Sequence, residues 1–371
     1  MSSASRVTLR SDPAGGHPLV DREADLTPTW LTAVLRGIGA LPKGEVTAVR
    51  SEPVGHGLVA TTRRLHLSYD TQTLAPSTLV AKMTSVDEAS RKAGAALGVY
   101  EKEVRFYQDI APRIGAAVAP ALFADVDHLG ERFLLLMDDL FPARSGEQIA
   151  GCNLEDAAAV LDAAAAIHAP FWGRTQIDEL PWIDRARDVA LYVQGYRAAI
   201  DPVLQRFEHS LRPEVPNVIC RLGEGLDRYY AAQPRPWTVT HQDFRLDNLL
   251  FDAKNGAMPV AVLDWQTVRI GPGVSDVAYF IGAGLPLETR RTHERDLLER
   301  YRESLRALGV DSLPSAEVWQ QYRRFAAEGL ITALLGASMV TPTERGDRLF
   351  TTMIERHAQH MIDLDTLSLM G

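Results

Sequence analysis

Cysteine is scarce in this chain, with only Cys152 and Cys220 among 371 residues. Neither belongs to a CxxC pair or a Cys/His cluster, so no structural zinc site is expected, and two thiols in so long a chain suit a reducing compartment. A long apolar run is also missing. The longest stretch, around Gly329 to Val340, falls short of the roughly eighteen residues a membrane span needs. The opening MSSASRVTLRSDPAGGHPLVDREADL has no apolar signal-peptide core. These features point to a cytoplasmic protein with no membrane partner. No Lys/Arg-rich run appears, and the net charge of -9 with a pI near 5.6 argues against a nucleic-acid partner. The oligomeric state is not legible. What remains is an ordinary globular mixture, 46% hydrophobic and 23% charged, long enough for one large or two medium domains.

The first 25 residues, polar and rich in Gly and Pro, read as a loose arm. Thr27-Pro28 before TWLTAVLRGIG marks a helix start. VTAVRSEPV, TTRRLHLSYD and STLVAKM are rich in β-branched residues and read as three antiparallel strands. YEKEVRFYQDIAPRI has helical spacing, and ALFADVD and RFLLLMD read as two further strands. Beyond residue 137 the pattern turns helical. NLEDAAAVLDAAAAIHAPFW opens with Asn153 as cap and Asp156 three residues on, in the manner of a capping box. Further helices are expected across residues 183–231 and 287–363, interrupted by short strand pairs at WTVT/NLLF and PVAVLDW. The expected class is α+β: a strand-rich lobe over 26–137 and a mainly helical lobe over 138–371.

One stretch resists a packing explanation. WTVTHQDFRLDNLLF places His241, Asp243, Asp247 and Asn248 between apolar runs, and burying such groups costs energy unless each has a partner or a task. Phosphoryl transfer would supply tasks: cations for phosphates, oxygen ligands for magnesium, and a carboxylate to orient an accepting hydroxyl. Asp243 and Asn248 stand five residues apart on a tight loop, and Asp264 ends the strand PVAVL.

This H-x-D-x-x-x-x-N, followed by a strand-terminal Asp, resembles the phosphotransferase branch of the protein-kinase-like fold. That branch includes the aminoglycoside phosphotransferases, choline kinases and ecdysteroid-kinase-like enzymes. The resemblance implies a bilobal fold, ATP and Mg2+ as cofactors, and a small hydroxylated molecule as substrate. It implies that Asp243 orients and deprotonates the acceptor, while Asn248 and Asp264 hold magnesium. Lys82, in LVAKM, would bind phosphate while paired with Glu103, for which Glu101 is the rival. The segment from Met137 through Asp139 to Leu140 would turn its backbone towards adenine, and Asp276, in GPGVSDVAYFIG, would brace the catalytic loop. There are departures. Gln242 stands where many relatives have Gly, and Trp-Gln follows Asp264 where protein kinases have Phe-Gly. The phosphate-covering hairpin EPVGHGLVATT keeps Gly55 and Gly57 but no GxGxxG, and Val59 falls near a Ser of some relatives.

Simpler roles account for other residues. His241 reads as a structural hydrogen-bonding group and Asp247 as a loop cap. His168 reads as a helix-end histidine favoured by the dipole, and Trp172, Trp182, Tyr192, Tyr196, Trp319 and Tyr322 as mostly core. Between Pro170 and Trp237 nine acids face nine arginines, without the acidic excess a polycation would favour. The acceptor expected is therefore neutral or amphipathic. The alternative is a nucleotide-binding regulatory module of the same fold without catalysis. A protein kinase is disfavoured by the missing Asp-Phe-Gly and Ala-Pro-Glu segments.

Overall fold

The computed structural model describes residues 17–55, 60–114, 117–173, 180, 182–183 and 185–370, the side chains of 185–188 apart. The chain divides into two compact units, one of Met1–Pro142 with Asp264–Thr267, the other of Ala143–Leu263 with Val268–Gly371.

In the first unit, Thr27 caps helix α1 (Pro28–Gly37), its hydroxyl accepting the Trp30 N–H, with Pro28 starting the first turn. Strands β1 (Val46–Pro53), β2 (Ala60–Tyr69) and β3 (Thr78–Thr84) follow. Helix α2 (Glu88–Ala96) was not foreseen. Asp87 caps it through the Ser90 N–H. Helix α3 (Val99–Arg105) runs through a π turn at Phe106–Ile110 into α4 (Ala111–Ile114), and β4 (Ala121–Val126) and β5 (Phe133–Asp138) complete the strands. The sheet is antiparallel in the order β1-β2-β3-β5-β4.

Strand alternation fixes which face each β3 side chain takes. Leu79, Ala81 and Met83 are buried in a cluster with Trp30, Leu31, Val34 and Leu35 of α1. Lys82 must then point to the opposite face, where Tyr100 of α3 stacks on Phe133 of β5 at 4.5 Å. Of the arm expected over residues 1–25, the part from 17 onward is fixed to this unit. Leu19 and Val20 pack on the same cluster, the Trp30 indole donates to the Pro18 carbonyl, and Arg132 pairs with Asp21.

The second unit comprises β6 (Arg144–Ser145), α5 (Leu154–His168), α6 (Arg185–Arg206), α7 (Val215–Ala231), β7 (Thr238–Thr240), β8 (Leu249–Ala253), β9 (Met258–Val262), β10 (Arg269–Gly271), α8 (Val274–Gly284), α9 (Leu287–Ala307), α10 (Ser315–Met339) and α11 (Glu344–Asp363). The strand pairing differs from expectation. WTVT does not pair with NLLF: β7 pairs with β10, while β8 lies between β6 and β9. The HQDFRLD loop separates β7 from β8, and the tight turn at Asp252–Gly256, with four residues at positive φ, folds β8 onto β9 instead.

Asn153 caps α5 through the Asp156 N–H, but Asp156 does not close a capping box. Its carboxylate takes a two-point charge-assisted bond from Arg144, a stronger partner than a backbone N–H. The apolar stretch at Gly329 to Val340 lies on α10, with Leu330, Ile331 and Leu334 wholly buried. Among the described residues no helix is long and apolar enough to cross a membrane.

Candidate active site

Lys82, on the central strand β3, sends its ammonium to two carboxylates. Nζ lies 2.7 Å from Glu103 Oε2 and 2.7 Å from Asp264 Oδ1. Glu103 is buried on α3, whereas its rival Glu101 is exposed and lies nearest Arg105. Burial alone would push the Lys82 ammonium down, but Asp264 and Glu103 outweigh it and hold it above the usual lysine range. Burial, reinforced by Asp264, pushes the Glu103 carboxyl up in spite of Lys82. One cation thus serves two acids. The Asp264–Thr267 segment is latched to this unit by Trp265, whose ring stacks on Phe106 at 3.8 Å and whose backbone N–H reaches Glu103. Asp264 itself has a φ of +64°, a left-handed conformation that Asp tolerates better than most residues.

The remaining residues of this unit sort differently. Met137 is buried at the end of β5, and the Asp139 side chain is committed to a bidentate pair with Arg64. Any contact of this segment with a base would therefore have to come from its backbone. Gly55 sits in a turn at a φ of +71°, while Gly57 and Val59 lie outside the described residues.

In the second unit the polar loop is braced from beneath. Asp276, buried on α8, accepts the backbone N–H of His241 at 2.6 Å and of Gln242 at 2.9 Å. His168 closes α5 at its last turn, as expected, but its ring turns to partners other than the helix end. It is buried, with Nδ1 2.8 Å from the Tyr301 hydroxyl and Nε2 3.3 Å from the Asp276 carboxylate. His241 has a structural part, with Nε2 donating to the Leu263 carbonyl and Nδ1 accepting the Asp243 N–H. Asp247 accepts the Gln148 N–H and pairs with Arg245, which makes it a loop cap. Gln242 adopts a φ of +70°, so the backbone takes the left-handed turn that glycine favours even though a side chain is present. That side chain is anchored to Thr240, Ser275 and Arg269.

Both oxygens of Asp243 have donors. Oδ1 accepts the Tyr279 hydroxyl at 2.8 Å, Oδ2 accepts the Asn248 amide at 2.8 Å, and Arg245 Nε reaches both oxygens at 3.2 and 3.1 Å. Burial would raise this carboxyl, but Arg245, the Tyr279 hydroxyl and Asn248 outweigh it and hold it below the usual carboxylate range. The Asn248 amide nitrogen is spent on Asp243, through its carbonyl as well as its carboxylate, so the amide oxygen is the atom suited to a hard cation. Among the described residues no cluster of three His, Cys, Asp or Glu could hold a metal. A magnesium ion bound chiefly through nucleotide phosphates needs no such cluster, and carboxylate and amide oxygens are the donor types that suit it. Beside the loop lies a small pocket lined by Tyr230, Gln233, Gln242, Arg269, Ser275 and Glu328, with the Arg269 and Glu328 charges 4.0 Å apart.

The profile of the ecdysteroid kinase-like family matches residues 55–311, more than half of the chain. The chain belongs to the ecdysteroid kinase-like family. This ecdysteroid kinase-like protein has the protein-kinase-like fold. It is similar to an ethanolamine kinase from Plasmodium vivax, with a TM-score of 0.51 at 8% identity, over 94% of this chain and 90% of the other. A choline kinase from Cryptosporidium parvum gives 0.51 at 10%, over 85% and 89%. A GDP complex of aminoglycoside 2'-phosphotransferase-IIIa gives 0.51 at 10%, over 90% and 99%. Likeness at such identities speaks for the fold alone. A segment of 93 residues, 25% of the chain, is 34% identical to mouse acyl-CoA dehydrogenase family member 10 and spans 7% of that protein.

Sequence reasoning missed several residues of the loop's surroundings in this family member: Arg245, Gln148, Arg269 and Tyr279. Gln148 accepts the Leu246 N–H and donates to the Ala283 carbonyl, tying the loop to α8. A signal existed for Tyr279, since it follows Asp276 by three residues and shares its helix face.

Proposed function

We propose that this chain is an ATP- and Mg2+-dependent kinase that phosphorylates a hydroxyl of a small molecule. The observation carrying the reading is Lys82 joined to both Glu103 and Asp264, three charges drawn from residues far apart in sequence. A core needs no such group, and withdrawing one cation and two acids from water is costly unless the cluster has a task. In this reading Lys82 holds phosphate oxygens, kept charged and aimed by Glu103. Asp243 accepts a hydrogen bond from the acceptor hydroxyl. As the new O–P bond forms and the bond to the ADP oxygen breaks, the acceptor's proton passes to the Asp243 carboxylate and from there to solvent. Asn248 and Asp264 would hold magnesium, which when bound offsets the phosphate charge. The low Asp243 pKa suits a group that orients the hydroxyl more than it pulls the proton early. The balanced charge of residues 170–237 favours a neutral or amphipathic acceptor, and the cysteine content a cytoplasmic setting.

A second reading, a nucleotide-binding module without transfer, draws on the same carboxylate, since both oxygens of Asp243 already have donors. ADP release separates the two, measured with ATP and Mg2+ against aminoglycosides, choline, hydroxyacyl compounds and steroids. Turnover with one acceptor, abolished by Asp243→Ala while ATP binding persists, is the expected result. ATP binding without turnover on any class, or full turnover in Asp243→Ala, would refute the kinase reading.

A further inference from the structure

Tyr279 emerges from the way α8 grips the polar loop. Asp276 and Tyr279 stand three residues apart, so they share one face of the helix. The first holds the loop backbone through the N–H groups of His241 and Gln242, and the second reaches the side chain of the following residue, Asp243. Backbone and carboxylate are thus fixed by the same rigid element. Tyr279 is only 2% exposed, and its ring lies against His357 of α11 at 5.1 Å between centroids. His357 in turn sits where a methyl group on Gly329 or Gly282 would fall 2.0 or 2.8 Å from its ring atoms. The phenol is therefore held tightly from behind, with its hydroxyl aimed at one oxygen.

An ionised carboxylate offers about four acceptor positions. On Asp243, Tyr279 fills one on Oδ1, Asn248 fills one on Oδ2, and Arg245 Nε shares itself between the two oxygens at longer range. A single N–H divided in this way makes the longest of the contacts, and Arg245 keeps a partner in Asp247, 2.6 Å from Nη1. We propose that Tyr279 is a positioning residue: its hydroxyl fixes the plane of the Asp243 carboxylate, so that an acceptor hydroxyl displaces the divided Arg245 contact and finds the carboxylate already oriented.

This rests on the kinase reading for its consequence, though not for its geometry, and the test is divided accordingly. Tyr279→Phe keeps the ring on His357 and removes only the hydroxyl. Its crystal structure is expected to show the Asp243 carboxylate turned about its final bond, with the loop backbone in place. With the acceptor found active in the ADP-release panel, turnover is expected to fall about ten- to a hundredfold while KM for ATP stays unchanged. A tyrosine that merely filled space would leave both the carboxylate and turnover unchanged in Tyr279→Phe, whose ring occupies the same space. An unmoved carboxylate, or wild-type turnover in Tyr279→Phe, overturns the proposal. A turned carboxylate in a protein that phosphorylates nothing upholds the positioning and overturns the kinase reading instead.

Discussion

Gln242 occupies backbone that an L-residue enters at a cost of roughly 1 kcal/mol. Its side chain offsets that cost by bonding to Thr240, Ser275 and Arg269, and the Asp276 carboxylate holds its N–H. The two contributions can be separated by substitution. Gln242→Gly loses the amide but relieves the conformation, whereas Gln242→Ala loses the amide and keeps the strain. Urea midpoints are expected to place the Ala variant about 1 kcal/mol below the Gly variant. Equal midpoints would mean that the turn is not strained. At this scale the sequence was read partway. The residue types at Lys82, Asp243, Asn248 and Asp264 were visible because polar and charged groups stand out against apolar sequence neighbours. The partners of Asp243 were not, because a tyrosine or arginine reveals nothing about its aim until helices pack. The same holds for His168, whose position at a helix end suggested a dipole contact when its ring serves Asp276 and Tyr301.

Helices α8, α10 and α11 meet without spare volume. His357 and His360 lie three residues apart on α11 and are wholly buried, fitted against Gly282 and Gly329. Burial, aided by the nearby cations Arg356 and Arg290, holds the His357 imidazole down at about 3. The unfolded chain takes up this proton below about 6.5, while the folded chain refuses it. The stability tied to this group is thus present in full above pH 6.5 and is lost as pH falls towards the folded value. Between pH 7 and pH 5 the loss amounts to about 2 kcal/mol. Denaturant titrations at both values are expected to show a change that is shallower in His357→Leu than in the wild type by about that amount. An identical pH slope in the two proteins would exclude His357 as the cause. Elements of this kind read well from sequence where periodicity is long, as in α5 and α10, and poorly where pairing is non-local. β7 and β10 were separated by the whole loop and hairpin, and nothing in WTVT names its partner.

The units of the molecule are not consecutive in the chain. Asp264–Thr267 belongs with the N-terminal unit although more than a hundred residues of the other unit precede it. Trp265, wholly buried, stacks on Phe106, and Asp264 completes the pairing of Lys82. Trp265→Ala should therefore cost about 3 to 5 kcal/mol in urea unfolding followed through the N-terminal unit. A loss below about 1 kcal/mol would show that the segment merely rests there. No periodicity forecast this arrangement. An aspartate after a strand was legible, but the unit to which its side chain belongs depends on contacts with α3 that spacing does not encode.

This interleaving limits how such a chain can be inherited in pieces. A crossover that transplanted the first 142 positions alone would deliver the lysine and the helix glutamate without the four residues that lock them. Descendants that remain stable would have to exchange both stretches together, or find a new aromatic plug for Phe106.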